Sequence, residues 1–187
     1  YTELISNILA APGISLMLNT DAHEIVKLDN SGHIDAFGSE FHGELIYTGM
    51  IDELFNYCYG ELPYRSLQFC FEHHSQDFYQ QNTTINYPNN YDYTRITEFK
   101  HIYGKHGSGT TIVKEFPQDY DRHDPERNVP YYPVFTEENE EIFGRYTKLE
   151  AETDRLTLVG RLAEYRYYDM DDVVGRALEL FEAKFAD

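Results

Sequence analysis

The stretch YRSLQFCFE, residues 64–72, decides the fold class through its alternation of apolar and polar side chains. Leu67, Phe69 and Phe71 fall on one side of an extended chain, and the residues between them fall on the other. Because successive side chains of a β-strand point to opposite faces of its sheet, this alternation predicts a half-buried strand. Such a strand is typical of an antiparallel sheet that packs one face and leaves the other open.

Three later stretches repeat this texture and extend the predicted sheet. They are rich in β-branched residues and are separated by Pro-Asn-Asn and Gly-Ser-Gly turns, which favour antiparallel neighbours. The three stretches are TTINY (83–87), TRITEFK (94–100) and TTIVKEF (110–116). We therefore predict an α+β chain built on an antiparallel sheet.

Short strands and helices are predicted on both sides of this sheet. Helical spacing of apolar residues stops at Pro12 and Gly13, and Asp29-Asn30-Ser31-Gly32 predicts a hairpin turn. The predicted strands are ISLMLNT (14–20), EIVKL (24–28), HIDAF (33–37), GELIYTG (43–49) and LTLV (156–159). The predicted helices are residues 4–9, a short piece in 50–60, residues 137–152, and a last helix from about 170, with an apolar stripe of Val173, Val174, Ala177, Leu178, Phe181 and Phe185.

Length and charge limit the possible partners. The 187 residues can bury the core of one domain or two small lobes. A formal net charge of −18 at pH 7 repels nucleic acid and anionic membranes, so neither is a predicted partner. No run approaches the ~20 apolar residues of a membrane span, and no signal peptide is recognisable. Because the first residue is Tyr1 rather than Met, we expect a segment of a longer chain.

Several weaker patterns are given structural interpretations. Cys58 and Cys70 lie in apolar, aromatic surroundings without metal or redox spacing, which predicts two buried, reduced thiols in a cytosolic protein. The adjacent His73 and His74 would point to opposite faces of a strand, so no metal site is predicted. The stretch GKHGSGTT (104–111) has the glycines of a phosphate loop, but it lacks the order of that motif and precedes a strand.

Asn86 and Arg95 form the first candidate binding pair. If residues 88–93 are the loop between two antiparallel strands, both side chains lie near one another on a common face. A guanidinium beside an amide can grip a phosphate or a carboxylate, because it offers a planar fork of donors. The alternative, that Arg95 pairs with a surface glutamate, is also open.

The turn GRLAEYRYYDM, residues 160–170, gathers arginines and tyrosines between a predicted strand and the last helix. Gly160 permits an unusual backbone angle, and the helix N-terminus points unpaired N–H groups back at the turn. Arg161 would then hold an anion such as a phosphate. In the alternative interpretation, Asp169 is a simple N-cap and the tyrosines are packing residues.

Four long runs resemble the UDP-galactopyranose mutase family in order and in separation, and the similarity begins at YTELI. These runs are YTGMIDELFNYCYGELPYRSL (47–67), INYPNN…YTRITEFKH (85–101), VPYYPV (129–134) and VGRLAEYRYYDMDDV (159–173). The resemblance implies an FAD enzyme that interconverts UDP-galactopyranose and UDP-galactofuranose for galactofuranose-containing cell-surface polysaccharides. In that family N5 of the reduced flavin attacks the anomeric carbon of the sugar and UDP leaves. The sugar ring then opens through an iminium adduct with the flavin and recloses as the five-membered form.

The resemblance also implies roles for individual residues. It assigns catalytic roles to Arg95, Tyr132, Tyr167 and Asp169, and contacts with the UDP-sugar to Asn86, Arg95, Tyr132 and Tyr167. It assigns contacts with FAD to Ala22, Gly49, Arg161, Tyr168, Asp169, Met170 and Val173, with Arg161 on the cofactor's phosphates. No metal is implied.

By the same resemblance the chain has three parts. Residues 1–50 belong to the FAD-binding domain, 51–136 form the substrate-facing antiparallel sheet domain, and 137–187 return to the first part as helix, strand and helix, so the sheet is joined to a partial α/β flavin-binding lobe. The GxGxxG phosphate loop that such a site requires is absent from the sequence. We therefore expect this chain alone to be inactive, to bind FAD weakly or not at all, and to need the missing N-terminal part of the same chain as a partner. A homodimer is left open, and the expected location is cytoplasmic.

A second hypothesis belongs to a different class of function. The chain would be a stand-alone, non-catalytic nucleotide-sugar or glycan-binding module that keeps the tyrosine-rich pocket. UDP affinity without flavin would favour that module. A start codon and a GxGxxG strand encoded directly upstream of Tyr1 would favour the mutase.

Overall fold

A computed structural model describes residues 1–29, 32–104 and 107–186 of the 187. Asn30 and Ser31 of the predicted hairpin turn, and Lys105 and His106 of the glycine-rich stretch, lie outside the described residues. None of the helices in the described part combines the length and the apolar character that crossing a bilayer demands.

The described residues form a mixture of helices and mainly antiparallel strands, which confirms the predicted α+β class. The helices are α1 (Thr2–Leu9), α2 (Ala22–Ile25), α3 (Ile51–Leu54), α4 (Phe99–Tyr103), α5 (Glu137–Glu152) and α6 (Met170–Lys184). The strands are β1 (Val26–Leu28), β2 (Ile34–Ala36), β3 (Ser39–Glu40), β4 (Leu45–Tyr47), β5 (Tyr64–His74), β6 (Thr84–Asn86), β7 (Arg95–Glu98), β8 (Thr110–Asp119), β9 (Tyr132–Pro133) and β10 (Leu156–Leu158).

The predicted antiparallel sheet is present with five strands in the order β6-β7-β8-β5-β9. Residues directly opposite one another in antiparallel strands share a face of the sheet. The register pairs Asn86 with Arg95, Arg95 with Glu115, and Glu115 with Phe69, so one row of side chains crosses four strands on one face. On the same face, Arg65 of β5 pairs with Tyr132 of β9.

A parallel pair of strands lies beside this sheet. Strand β4 pairs with β10, with Tyr47 opposite Leu158, so the carboxyl ends of both strands lie together. At that edge Thr48 approaches Gly160, since a Cβ on Gly160 would lie 3.9 Å from the Thr48 Cβ. A small antiparallel sheet of β1, β2 and β3 precedes the pair in sequence.

The main core lies where α3, α5, the β4–β10 pair and the turn after β10 meet the start of β5. It consists of Ile34, Tyr47, Met50, Ile51, Leu54, Leu62, Tyr64, Tyr146, Leu156, Leu158, Ala163 and Tyr165. Tyr165 fixes the turn to the sheet: its hydroxyl donates to the Pro63 carbonyl (2.7 Å) and accepts from the Val134 amide (3.2 Å). Burial raises the pKa of this phenol to about 12, so it remains a neutral donor at physiological pH.

Three predictions about packing were wrong. Residues 14–20 form no strand, because no other segment of the described chain pairs with them. Phe69 and Phe71 are 41% and 64% exposed. Phe69 contacts the ring of Tyr131 and Phe71 contacts the ring of Phe99, but these contacts leave much of both side chains uncovered. Cys58 and Cys70 are free thiols but are exposed rather than buried, because one lies in a surface loop and the other on an open part of the sheet.

The apolar stripe of α6 is exposed as well. The helix begins at Met170 as predicted, but Val174, Leu178 and Phe181 are each more than half exposed. Helix α1 also leaves Leu4, Ile5 and Ile8 exposed. These two helices therefore gain little stability from burial within the described residues.

Candidate functional site

Arg95 lies at one end of the candidate site, on β7. Its Nε donates to Asn86 Oδ1 across the hairpin (3.2 Å), which confirms the predicted neighbourhood of the two residues. Its Nη1 lies 3.7 Å from Glu115 Oε2 on β8. The Arg95 side chain is 44% exposed and that of Glu115 only 13%. The structure shows the pairing of Arg95 with a glutamate, and the binding of a phosphate or carboxylate by Arg95 and Asn86 stays a prediction.

Arg161 lies at the other end, in the turn between β10 and α6. Its Nη1 donates to the Tyr131 carbonyl (3.2 Å), and its Nη2 donates to the Tyr168 carbonyl. The rings of Tyr132 and Tyr167 stack with their centroids 5.6 Å apart, and the guanidinium carbon lies 5.0 and 5.2 Å from these centroids. Cation–π contacts and two carbonyl acceptors thus fix the orientation of Arg161.

Asp169 is the N-cap of α6, as the structural interpretation predicted. It forms a capping box in which its side chain accepts from the backbone of Asp172 and its own amide donates to Asp172 Oδ2 (2.9 Å). Its Oδ1 also accepts from the Tyr167 hydroxyl (2.9 Å), and this hydrogen bond raises the pKa of Tyr167. The first turn of the helix therefore already contains the carboxylates that offset its dipole, so its N-terminus offers an anion less than expected.

The two arginines occupy opposite ends of one face of the sheet. Three inter-strand spacings separate β7 from β9, which corresponds to about 14 Å at the backbone. Phe69 and Tyr131 bridge this distance, with ring centroids 6.0 Å apart, and Tyr131 lies next to Tyr132. The predicted residues therefore form two contact groups, Asn86 with Arg95 and Tyr132 with Tyr167, Asp169 and Arg161, joined by aromatic side chains.

Two of the residues predicted to contact FAD, Gly49 and Ala22, lie near the end of β4. Gly49 follows β4, and a Cβ there would come within 2.4 Å of the Tyr47 hydroxyl, so only glycine fits. The same hydroxyl lies 3.2 Å from His23 Nε2, which ties the start of α2, where Ala22 lies exposed, to the end of β4. Tyr47 therefore connects the two predicted contacts in the first third of the chain.

The remaining predicted FAD contacts lie around the start of α6. Tyr168 is buried, Val173 is half-buried and Met170 is 66% exposed. Burial, followed by the negative charge of Glu164, raises the pKa of the Tyr168 phenol. Met170 is thus an apolar surface that a flat ring could cover, next to a rigid tyrosine.

Sequence reasoning missed Glu115 and Tyr131. Glu115 could have been found from the alternation of TTIVKEF, which places it on one face once the pairing of β7 with β8 is known. Tyr131 acts through its carbonyl oxygen, which every residue has, so no sequence pattern identifies it. Burial and the nearby carboxylate of Glu115 raise the pKa of the Tyr131 phenol.

Comparison with known proteins identifies the family. A family model described as UDP-galactopyranose mutase matches residues 1–167. A UDP-galactopyranose mutase of Mycoplasma genitalium is 35% identical over 176 residues, covering 93% of this chain and 43% of the relative, and one of Mycoplasma pneumoniae is 33% identical over 180 residues, covering 95% and 45%. A dTDP-fucopyranose mutase of Escherichia coli is 33% identical over 182 residues, covering 96% and 45%.

The matched proteins are mutases named for sugars carried on a nucleoside diphosphate, and this is the class to which the chain is assigned. The chain belongs to the UDP-galactopyranose mutase family, since the family model matches most of its length. It spans less than half the length of these curated relatives.

Proposed function

We propose that this chain is part of a flavin-dependent mutase that interconverts UDP-galactopyranose and UDP-galactofuranose. The observation that carries the proposal is the single face of the sheet on which Arg95 lies at one end and the Tyr132–Tyr167 stack with Arg161 lies at the other. A nucleotide-sugar carries a diphosphate, and a face with an arginine at one end and two tyrosine hydroxyls towards the other suits such a ligand. In a chain of charge −18, these arginines are the local source of positive potential.

Arg95 and Asn86 would bind the diphosphate of the substrate. The half-exposed guanidinium can exchange Glu115 for phosphate oxygens, because the present N–O distance of 3.7 Å is long for an ion pair. Negative charge grows on the diphosphate as UDP departs from the sugar. A guanidinium at that point stabilises the departing group more than the intact substrate.

Tyr132 and Tyr167 would donate to the diphosphate from the opposite side. Their stacking limits the motion of both rings, and Asp169 holds the Tyr167 hydroxyl by a hydrogen bond of 2.9 Å. Asp169 therefore orients a phenol, and the proton of that phenol can turn to a phosphate oxygen when substrate arrives. Neutral phenols suit this role because each can donate a hydrogen bond to an anionic oxygen.

The edge formed by β4 and β10 fits the FAD that the family resemblance implies. Dinucleotide cofactors bind beyond the carboxyl ends of parallel strands, and Gly49 and Gly160 follow those two strand ends here. Arg161 would bind the cofactor's phosphates, with Tyr168, Met170 and Val173 beside the ring and Ala22 beside the adenosine. When bound and reduced, FAD would supply the nucleophilic nitrogen for the sugar's anomeric carbon.

The additional length present in the relatives is part of the proposal. We propose that conversion requires it, and that the present chain alone binds FAD weakly and is inactive. A homodimer and a cytoplasmic location stay predictions. The alternative function is a non-catalytic nucleotide-sugar or glycan-binding module, which the Arg95 and tyrosine groups could serve without a flavin.

Titration of UDP and of FAD into two polypeptides tests the proposal. One is this chain, and the other contains this sequence within a polypeptide of the relatives' length. We expect FAD binding and conversion of UDP-galactopyranose, under reducing conditions, only for the longer polypeptide. A longer polypeptide that binds reduced FAD but leaves the sugar unchanged would refute the mutase, and tight UDP binding by the present chain without FAD would support the module.

A further inference from the structure

We infer that Glu164 is the positioning residue for Arg161 and Tyr168, an inference that rests on the proposed FAD site. Glu164 lies within the turn between β10 and α6, outside the residues for which the sequence predicts a role. Its carboxylate joins the beginning of the turn to the helix that follows. Arg161, which would bind the cofactor's phosphates, lies between these two anchors.

Both oxygens of the Glu164 carboxylate have a partner. Oε2 accepts from the Gly160 amide (2.8 Å), and Oε1 accepts from Arg176 Nε on α6 (2.7 Å). The Tyr168 phenol lies close to the same carboxylate, whose negative charge adds to burial in raising the pKa of the phenol. The side chain of Glu164 is 18% exposed, so these contacts are largely shielded from water.

The contacts flank Arg161 on both sides in the chain. Gly160 directly precedes it and has a φ of +98°, a conformation in which the chain turns sharply. Tyr168 supplies the carbonyl that accepts from Arg161 Nη2. One carboxylate therefore holds the residue before Arg161 and, through Arg176, the helix that follows Tyr168.

Removal of the carboxylate would leave a buried donor without its partner. Gly160 is buried, and its amide would lose the acceptor at 2.8 Å. A buried amide without an acceptor is unfavourable, so the turn would shift to find another partner or water. Because Arg161 itself and one of the two carbonyls that hold it, that of Tyr168, belong to this turn, the guanidinium would move with the turn.

FAD affinity of the longer polypeptide, measured by flavin fluorescence, tests this role. Glu164→Ala should weaken FAD binding about tenfold, the loss expected for a hydrogen bond to a charged group. Glu164→Gln keeps an acceptor for the Gly160 amide and should weaken binding only about two- to threefold. Glu179→Gln, which removes a carboxylate from an exposed position of the same helix, is the matched control and should leave affinity unchanged.

A second readout separates positioning from general loss of structure. UDP affinity of the same variants should fall less than FAD affinity, because Arg95 and Asn86 lie at the other end of the sheet face and only Tyr167 belongs to the turn. In this chain, the amide proton resonance of Gly160 should move clearly in Glu164→Ala and less in Glu164→Gln. Arg176→Gln should resemble Glu164→Gln in FAD affinity.

The outcomes distinguish this inference from the proposed function. If the longer parent polypeptide binds no FAD, both fall. If it binds FAD and Glu164→Ala binds it equally well, only the role of Glu164 falls. Equal losses of FAD and UDP affinity in Glu164→Ala would show a structural ion pair and would overturn the inference too.

Discussion

Arg95 and Arg161 are the two arginines of the candidate site, and the molecule holds them in opposite ways. Arg95 extends from a strand and contacts the side chains of Asn86 and Glu115. Arg161 donates to two backbone carbonyls and lies against two tyrosine rings. Side chains can rotate away when a ligand arrives, whereas backbone carbonyls of the folded chain cannot. Arg95 is therefore built to exchange partners, and Arg161 is built to stay in place.

The largest effect is expected on stability when Arg161 is removed. Arg161→Ala should lower the free energy of unfolding of this chain by about 3 kcal/mol, because two partly buried carbonyls lose a charged donor and two rings lose a cation. Arg161→Lys should recover less than half of that loss, since an ammonium group cannot reproduce the planar fork. Urea unfolding measures both values.

Arg145→Ala is the matched control for this prediction. Arg145 is exposed on α5, and its removal should change the free energy of unfolding by less than about 0.5 kcal/mol. An Arg161→Ala protein as stable as this control would mean that the turn is held without the arginine. The contrast between the two arginines would then be lost.

The second prediction is that removal of Arg95 has little effect on stability but weakens ligand binding. Arg95→Ala should change the free energy of unfolding by less than about 0.5 kcal/mol, because the guanidinium is 44% exposed and its ion pair with Glu115 is long at 3.7 Å. The same change should weaken UDP binding to the longer polypeptide about tenfold, which corresponds to about 1.4 kcal/mol. Calorimetric titration with UDP measures the affinity, and Arg95→Lys should lie between the parent and Arg95→Ala. A large loss of stability with unchanged UDP affinity would give Arg95 the structural role instead.

Most elements of the fold were predictable because their patterns are local. The strand at 64–74 and the helix at 137–152 each follow from the spacing of residues that are neighbours along the chain. Residues 14–20 show the limit of this reasoning. Their apolar character suits a strand, but a strand also needs a partner segment, and the sequence of one segment does not show whether it has one.

The candidate site was predictable only where one short hairpin forms it. Asn86 and Arg95 meet because β6 and β7 are consecutive strands, so their register follows from the loop between them. Glu115 reaches Arg95 through a pairing of strands that are further apart in the chain, and Glu164 meets Arg176 only because α6 packs back on the turn. Contacts of this kind depend on how elements dock, which local periodicity does not contain.

The third prediction is that acidic pH loosens β7, the strand that carries Arg95, before it loosens the turn that carries Arg161. Glu98 is buried on β7, and its carboxylate accepts from Thr110 Oγ1 (2.5 Å) and from the amides of Tyr79 (2.9 Å) and Gln80 (3.0 Å). Burial alone would raise the pKa of Glu98, but these donors outweigh it and hold the pKa below its ordinary value of 4.5. The strand that carries Arg95 is thus fixed from its other face by a charged carboxylate.

The sign of the pH effect follows from linkage. A carboxyl group with a lowered pKa in the folded state stabilises the protein above its ordinary pKa, and this contribution is lost as the pH falls below 4.5 through the folded value. We expect amide hydrogen exchange in β7 and in residues 77–83 to accelerate over that range, before exchange near Arg161. Glu98→Gln should remove this pH dependence and lower stability by about 1 kcal/mol at neutral pH. If amide exchange accelerated in β7 and near Arg161 over the same pH range, the two ends of the site would not respond independently and this prediction would be wrong.

The smallest effect is expected from Glu115→Gln, and its sign is the most informative. Glu115 places a carboxylate 3.7 Å from the guanidinium that would bind the diphosphate, so it competes with the ligand for Arg95. Its removal should strengthen UDP binding to the longer polypeptide by about twofold, or roughly 0.4 kcal/mol, as for a weak exposed pair. The gain should shrink in high salt, because the repulsion it relieves is screened. Glu141→Gln, a charge change on the exposed surface of α5, should leave UDP affinity unchanged. Weaker UDP binding by Glu115→Gln would mean that the glutamate orients Arg95 for its ligand, and Arg95 would then be as firmly positioned as Arg161.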